Sequence, residues 1–235
     1  MFIFSALFVY LSFKVNEASE ALNYNGGSVL AMAGKSCVAV VVDTRLGVGN
    51  AVIGDVGCRV LECGDSSMLA LRGLQADVET LLEEVDARLR LRWIQDGGIG
   101  PGPRSFIQPD KLSAMVSIML YNSRLSTQGH YFLEPIIAGV KRNGEAYLCA
   151  QDPLGAQLRS KSYVVAGTAA HSLHGACEAL YEPDLEPDAL LDISLRCMTA
   201  GLNRDCLSGR KVAVYLLTHS NGPTVIERNL ESSLL

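Results

Sequence analysis

The chain has 235 residues, 49% of them hydrophobic and 19% charged, which suffices for one sizeable core without division into several domains. Its formal charge of -5 excludes broad affinity for nucleic acid, because a phosphate-binding surface needs a concentrated excess of Lys and Arg. The one local basic group, Arg88, Arg90 and Arg92, alternates along a helical pattern beside Glu83, Glu84 and Asp86 and reads as a solvated face.

The chain opens on MFIFSALFVYLSFK, an apolar run that stops at Lys14, short of the ~20 residues a membrane-crossing helix needs. No positive segment precedes it and no small-x-small cleavage site stands behind it. Residues 1–22 are therefore expected to be an N-terminal extension, removable or buried by a partner, with an export signal ranked below that reading and no membrane span. The domain proper is expected at 23–235.

From Ser28 the pattern changes to short β-type runs. SVLAMAG and CVAVVVD meet at Gly34-Lys35-Ser36, a length suited to a hairpin. The strand SSMLALRG leads into a helix with an apolar stripe at Val78, Leu81, Leu82, Val85, Leu89 and Trp93. The Gly- and Pro-rich DGGIGPGPRS is a loop, and a second helix follows with Leu112, Met115, Val116, Met119 and Leu120 on one face. Two strands, HYFLEPIIAGV and AYLCAQD, turn at Asn143-Gly144. SYVVAG then hands over to the helix HSLHGACEALY, and the Pro-rich EPDLEPD separates it from a last helix whose buried side is expected at Leu191, Leu195, Met198 and Leu202. KVAVYLLTHS and TVIERNL close the chain as strands. This order of strands and paired helices predicts an α/β (α+β) fold, a four-layer αββα sandwich with two antiparallel sheets between helix layers.

Seven cysteines, an odd number without a C-x-x-C pair, read as reduced and mostly buried thiols of an intracellular protein. The histidines form neither H-x-x-x-H nor H-E-x-x-H, and His171 with His174 is a single i,i+3 pair, so no metal or other cofactor is expected. Gly34-Lys35-Ser36 looks like the end of a phosphate-binding loop. Val29 stands where the first glycine of that loop is required, however, and a β-branched run follows Ser36 where a helix must begin. The segment is read as a hairpin turn instead.

GGSVLAMAGKSCVAVVVDTR resembles the opening of the proteasome β-subunit family, with Asp43 and Arg45 in the places of its Asp-x-Arg. LALRGLQAD, VVAGT and NRDCLSG resemble three later motifs of that family in the right order, and the resemblance runs from about Tyr24 to about Leu230. It implies the fold of the N-terminal-nucleophile hydrolases. YNGGSVLAMAGK, FLEPIIAG and GACEALYEPDLEPD are most similar to the type-3 branch of the family, whose members carry no active site.

Active members of the family use a hydroxyl on the first residue of the mature chain, with the free α-amine beside it as base. Lining up from Asp43 without gaps puts Gly27, which has no side-chain oxygen, at the nucleophile position. The neighbouring lysine of active members is matched by Arg59, whose planar, permanently charged fork is not its equivalent. Ala166 takes the place of a serine in the VVAGT turn, and Arg210 follows Ser208-Gly209 where active members have glycine. Asp43, Asp205, Ser208 and Gly209 survive, as does Gly73 with its backbone N–H, and a structural role suffices for each.

The alternative is an amidohydrolase using Ser28 as nucleophile after processing behind Gly27. Strand alternation opposes it, since a shift of one residue turns the hydroxyl to the other face. The resemblance thus implies a non-catalytic structural subunit of the proteasome core particle, with degenerate site positions. It also implies partners in a seven-membered β ring, in an α ring and in the opposite β ring, and a place in cytoplasm and nucleus. The loops DGGIGPGPRS and YEPDLEPD are candidates for neighbour contacts.

Overall fold

The strands β1 (Ser28–Gly34) and β2 (Cys37–Asp43) are near-continuous apolar runs because both of their faces are covered. Val29, Ala31 and Ala33 point to one side with Val38, Val40 and Val42, whereas Leu30 and Met32 point to the other with Ala39 and Val41. The two strands join through Lys35 and Ser36, with Gly34 opposite Cys37 and Ser36 in the left-handed region at φ 55°. This is the hairpin read from Gly34-Lys35-Ser36. The computed structural model describes residues 21–56, 59–98, 107–126, 129–219 and 222–230.

A short ribbon of β3 (Arg45–Val48) and β4 (Ala51–Asp55) follows, then β5 (Val60–Glu62), β6 (Ser67–Gly73), β7 (Leu133–Val140), β8 (Ala146–Gln151), β9 (Gln157–Ser160), β10 (Tyr163–Gly167), β11 (Lys211–Thr218) and β12 (Thr224–Asn229). One antiparallel sheet has the order β10-β1-β2-β11-β12 and the other β5-β6-β7-β8-β9. Helices α1 (Gln75–Gln95) and α2 (Pro109–Leu125) pack on the second sheet, with Leu81, Val85, Leu112 and Val116 fully buried against it. Helices α3 (Ala170–Leu180) and α4 (Pro187–Leu202) cover the first, with Leu173 and Leu190 against β1 and β2. A third apolar cluster fills the space between the sheets, so the layers run αββα as expected.

The strands that the pattern did not announce, β3, β4, β5 and β9, are short or exposed on both faces, so they carry no alternation to read. The buried side of α4 also differs from the expected stripe. It is centred on Leu190, Ser194, Cys197, Met198, Gly201 and Leu202, while Leu191 and Leu195 are only partly covered. Two small residues cause the rotation: Ser194 and Gly201 let α4 lie close to its neighbours, and a Cβ on Gly201 would stand 2.5 Å from Cδ2 of Leu173. Gly201→Leu is accordingly expected to cost about 1–3 kcal/mol by overpacking the α3–α4 contact, read as a lower denaturant midpoint at unchanged slope.

Of the expected N-terminal extension, residues 1–20 lie outside the described residues, as do most of DGGIGPGPRS and Cys58. The thiols of Cys37, Cys63, Cys149, Cys177 and Cys197 are buried, and that of Cys206 is exposed. Among the described residues no helix is long and apolar enough to cross a membrane, and no group of three His, Cys, Asp or Glu side chains could hold a metal ion.

Candidate functional site

The start of β1, the end of β2 and the residue before β5 meet where the two sheets open. Asp43 ends β2 with its carboxylate fully buried. Its Oδ1 accepts the Ser28 backbone N–H at 3.0 Å and Arg59 Nη1 at 3.2 Å, and its Oδ2 accepts the Gly209 N–H at 2.7 Å. Burial pushes the Asp43 carboxyl above the usual carboxylate range, while Arg59 and the two N–H groups pull it back. Burial likewise pushes the Arg59 guanidinium down, opposed by Asp43. Nη2 of Arg59 donates to the Arg45 carbonyl at 2.7 Å, so the fork bridges the end of β2 to the start of β3.

Alternation along β1 separates the two candidate nucleophile positions. A Cβ built on Gly27 would point between the sheets and stand 2.2 Å from Arg59 Nη1 and 2.8 Å from Asp43 Oδ1. The guanidinium fills the space a side chain at position 27 would need, and Gly27 itself sits at φ 103°, in the region that favours glycine. Ser28 turns the other way, toward the helix layer, where its Oγ accepts the Ala169 N–H at 3.0 Å and lies 2.8 Å from Ser208 Oγ.

Ser208 donates to Asp205 Oδ2 at 2.6 Å, and the charge-assisted bond claims its only proton. The Ser28 hydroxyl therefore donates to Ser208, and each hydroxyl of the series is committed. Thr168 Oγ1 also donates to Asp205 Oδ2, and the Leu207 N–H reaches Asp205 Oδ1 at 3.0 Å. Ser28 is fully buried in this network. The structure thus brings together Gly27, Asp43, Arg59, Asp205, Ser208 and Gly209. Ala166 stands apart, in the apolar cluster between the sheets and opposite Val29 on β1. Gly73 closes β6 at φ 143°, where a Cβ would strike the Phe132 carbonyl at 2.2 Å.

Two residues of the network were not singled out from the sequence. Arg72, 1% exposed, donates Nε to the Gly27 carbonyl and Nη1 to the Leu22 carbonyl, both at 2.7 Å, and Nη2 to Asn23 Oδ1 at 3.2 Å. The signal was present as a cation inside the otherwise apolar run of β6. Thr168 gives its backbone N–H to the Gly27 carbonyl at 3.1 Å. Arg45, matched in the sequence, is also buried and donates to the carbonyls of Leu207 at 2.8 Å and Gly49 at 2.9 Å.

Residues ahead of Gly27 are built into the same knot. The Gly27 N–H donates to the Leu207 carbonyl at 3.0 Å, and the side chain of Asn25 bonds the Gly47 carbonyl and the Gln75 N–H, each at 2.9 Å. The Gly27 N–H and the residues ahead of it are thereby held in the same buried network.

Comparison with known proteins places this geometry. The proteasome subunit family matches residues 23–217. The chain belongs to the proteasome subunit family. Among its relatives, the proteasome subunit beta type-3 of Picea mariana is 36% identical over 211 residues, spanning 90% of this chain and 97% of the relative. The probable proteasome subunit beta type-3 of Schizosaccharomyces pombe is 37% identical over 197 residues, 84% of this chain and 92% of the relative. The proteasome subunit beta type-3 of Trypanosoma brucei brucei is 38% identical over 198 residues, again 84% and 92%. The αββα layers and two antiparallel sheets are those expected of this proteasome family, and the three relatives carry the type-3 name that the motifs of the sequence suggested.

Proposed function

We propose that this proteasome family member is a non-catalytic structural β subunit of the core particle, which works through contacts with other subunits and not through bond cleavage. The observation that carries the reading is the occupied nucleophile position: Gly27 has no hydroxyl, and the Arg59 guanidinium paired with Asp43 stands where one would sit. Metal-free amide attack in this fold needs an oxygen and a basic amine on one residue. Here Gly27, Asp43, Arg59, Asp205, Ser208 and Gly209 serve instead to satisfy buried backbone groups and to tie the two sheets together.

The reading extends to partners and place. The subunit is taken to occupy one position in a seven-membered β ring that meets an α ring and the opposite β ring, in cytoplasm and nucleus, with 23–235 as its domain and 1–22 as an extension. Type-3 relatives over most of the chain support membership in such an assembly. The Ser28 alternative gains nothing from the geometry, because that hydroxyl faces Ser208 and Ala169 on the far side of the strand from Arg59.

Native mass spectrometry of the chain purified from its own cells tests the reading, together with treatment by a peptide epoxyketone. The expected result is recovery in a large assembly of related subunits and an intact mass for this chain unchanged by the probe. A covalent adduct on Ser28, or recovery as a solitary active hydrolase, would overturn it.

A further inference from the structure

Helices α3 and α4 approach closely where Gly201 faces Leu173: a Cβ on the glycine would stand 2.5 Å from Leu173 Cδ2 and 3.5 Å from Leu173 Cα. The two backbones are nearly in contact there. One helical turn further along α3 stands Cys177, and one turn back along α4 stands Cys197, so the antiparallel pair brings the two cysteines face to face. The thiols meet. Cys177 hydrogen-bonds the sulfur of Cys197, whose Sγ lies 3.7 Å from the carbonyl oxygen of Ala176, the residue before Cys177. Both side chains are fully buried between the helices and the first sheet, and both are thiols in this structure.

The pair is not symmetric. Accepting the bond from Cys177 pulls the Cys197 thiol below its ordinary range; burial opposes that pull, and Arg196, its neighbour on α4, adds to it. Giving the same bond pushes Cys177 up, and burial pushes it the same way. Cys197 is thus the member that becomes the thiolate, with Cys177 beside it as a second sulfur. A groove of about 730 Å³ between the helices is lined by Ala176 and Arg196, the immediate chain neighbours of the two cysteines, and by Gly175 and Ala200. These small residues offer little to bar a molecule the size of a peroxide, which reaches the sulfurs on local opening of the helix pair.

We propose that Cys177 and Cys197 are a peroxide-oxidisable pair that closes to a disulfide and staples α3 to α4. The inference goes beyond the structural-subunit reading and does not depend on it. A disulfide needs Cα atoms about 4.4–6.8 Å apart, a separation that helices reach where they pack as closely as Leu173 and Gly201 show. The Cys197 thiolate attacks one oxygen of hydrogen peroxide; an S–O bond forms, the O–O bond breaks, and the hydroxide that leaves takes up the proton Cys197 had lost. The Cys177 sulfur then attacks the sulfenic sulfur. An S–S bond replaces the S–O bond, and the departing hydroxide takes the Cys177 proton as a second water. The two thiols lose two electrons and two protons, and the peroxide gains both. A cellular thiol reverses the bond by exchange. While closed, the bond spans the turn at 181–186 and keeps α3 and α4 from separating.

The test uses the tagged full chain in its own cells, exposed to hydrogen peroxide, quenched in acid with N-ethylmaleimide and mapped without reduction. The expected result is joint loss of the alkylated peptides that carry Cys177 and Cys197, with one linked peptide in their place that disappears when a reductant is added. C177S keeps a donor toward Cys197 but has no second sulfur, so it is expected to hold a sulfenic acid on position 197 that dimedone traps. C197S is expected to give no dimedone adduct on position 177, and an adduct there would overturn the assigned order of attack. Hydrogen exchange of the α3 and α4 amides is expected to slow on oxidation of the wild type and not of C197S; a linked peptide without that protection would overturn the staple. If Cys177 and Cys197 both remain alkylated at a peroxide dose that oxidises the exposed Cys206, or either is linked to a different cysteine, the pairing itself is overturned. Mapping of the wild type decides the pairing alone, so a variant that fails to fold does not shield it.

Discussion

Asp43→Ala is expected to lower the stability of the chain by about 3–5 kcal/mol, the usual cost of leaving a buried charge without its partner. For a protein of this length that is a fall of roughly 10 °C in melting temperature. The substitution strands three groups at once. Arg59, 3% exposed, loses the carboxylate at 3.2 Å, and the N–H groups of the buried Ser28 and the partly buried Gly209 lose their acceptors. Asp43→Asn separates the contributions, because it keeps an acceptor for one N–H while removing the charge, and is expected to fall between the wild type and Asp43→Ala. For contrast, Lys35→Ala removes an ion pair with Glu186 whose side chains are 64% and 68% exposed, and is expected to change the melting point hardly at all. Thermal unfolding followed by circular dichroism on the three variants checks the order. An Asp43→Ala variant as stable as Lys35→Ala would show that the carboxylate does not hold the sheets together.

The double-faced burial of β1 and β2 was legible in the sequence because a run such as CVAVVVD has no polar residue to place at a surface. The helices were legible for the opposite reason, since charged residues mark the open face of α1 between Val78, Leu81, Val85 and Leu89. In α4 the same logic misled by one position. Leucines occupy two adjacent stripes there, and the choice between them is made by the small residues Ser194 and Gly201, whose packing value depends on a neighbour that the local pattern does not name.

The candidate site divides along a similar line. Asp43, Arg59, Asp205 and Ser208 were found because motif spacing carries them, and strand parity foretold that Gly27 and Ser28 would face opposite ways. Arg72 was not found. Its role is to collect carbonyls from Gly27 and Leu22, 45 and 50 residues away, and such long-range acceptors leave no periodic trace in either segment. Ala166 lies on β10 opposite Val29, and its methyl belongs to the apolar cluster between the sheets.

Gly27→Thr supplies the missing hydroxyl and is nevertheless expected to yield no peptidase. A side chain at position 27 must be built at φ 103°, a strain of about 1–3 kcal/mol for a non-glycine residue. Its Cβ would overlap Arg59 Nη1 at 2.2 Å and crowd Asp43 Oδ1 at 2.8 Å, so the guanidinium must move and the buried pair must open. G27T is therefore expected to melt well below the wild type, with background hydrolysis of fluorogenic peptides and no epoxyketone adduct. Replacing the fork by a thinner cation in G27T/R59K makes room, and this double variant is expected to melt above G27T, an interaction that a double-mutant cycle measures. It too should remain inactive. In the uncut chain the nitrogen of residue 27 is a peptide N–H held by the Leu207 carbonyl, and Arg72 and Asn25 fasten the residues before it, so a basic amine would require a cut before residue 27 that this buried arrangement opposes. Mass spectrometry after incubation with the epoxyketone decides the matter: an adduct on position 27 of G27T would show that the hydroxyl alone was lacking, whereas clean protein with a depressed melting point locates the defect in the whole buried arrangement around Arg59.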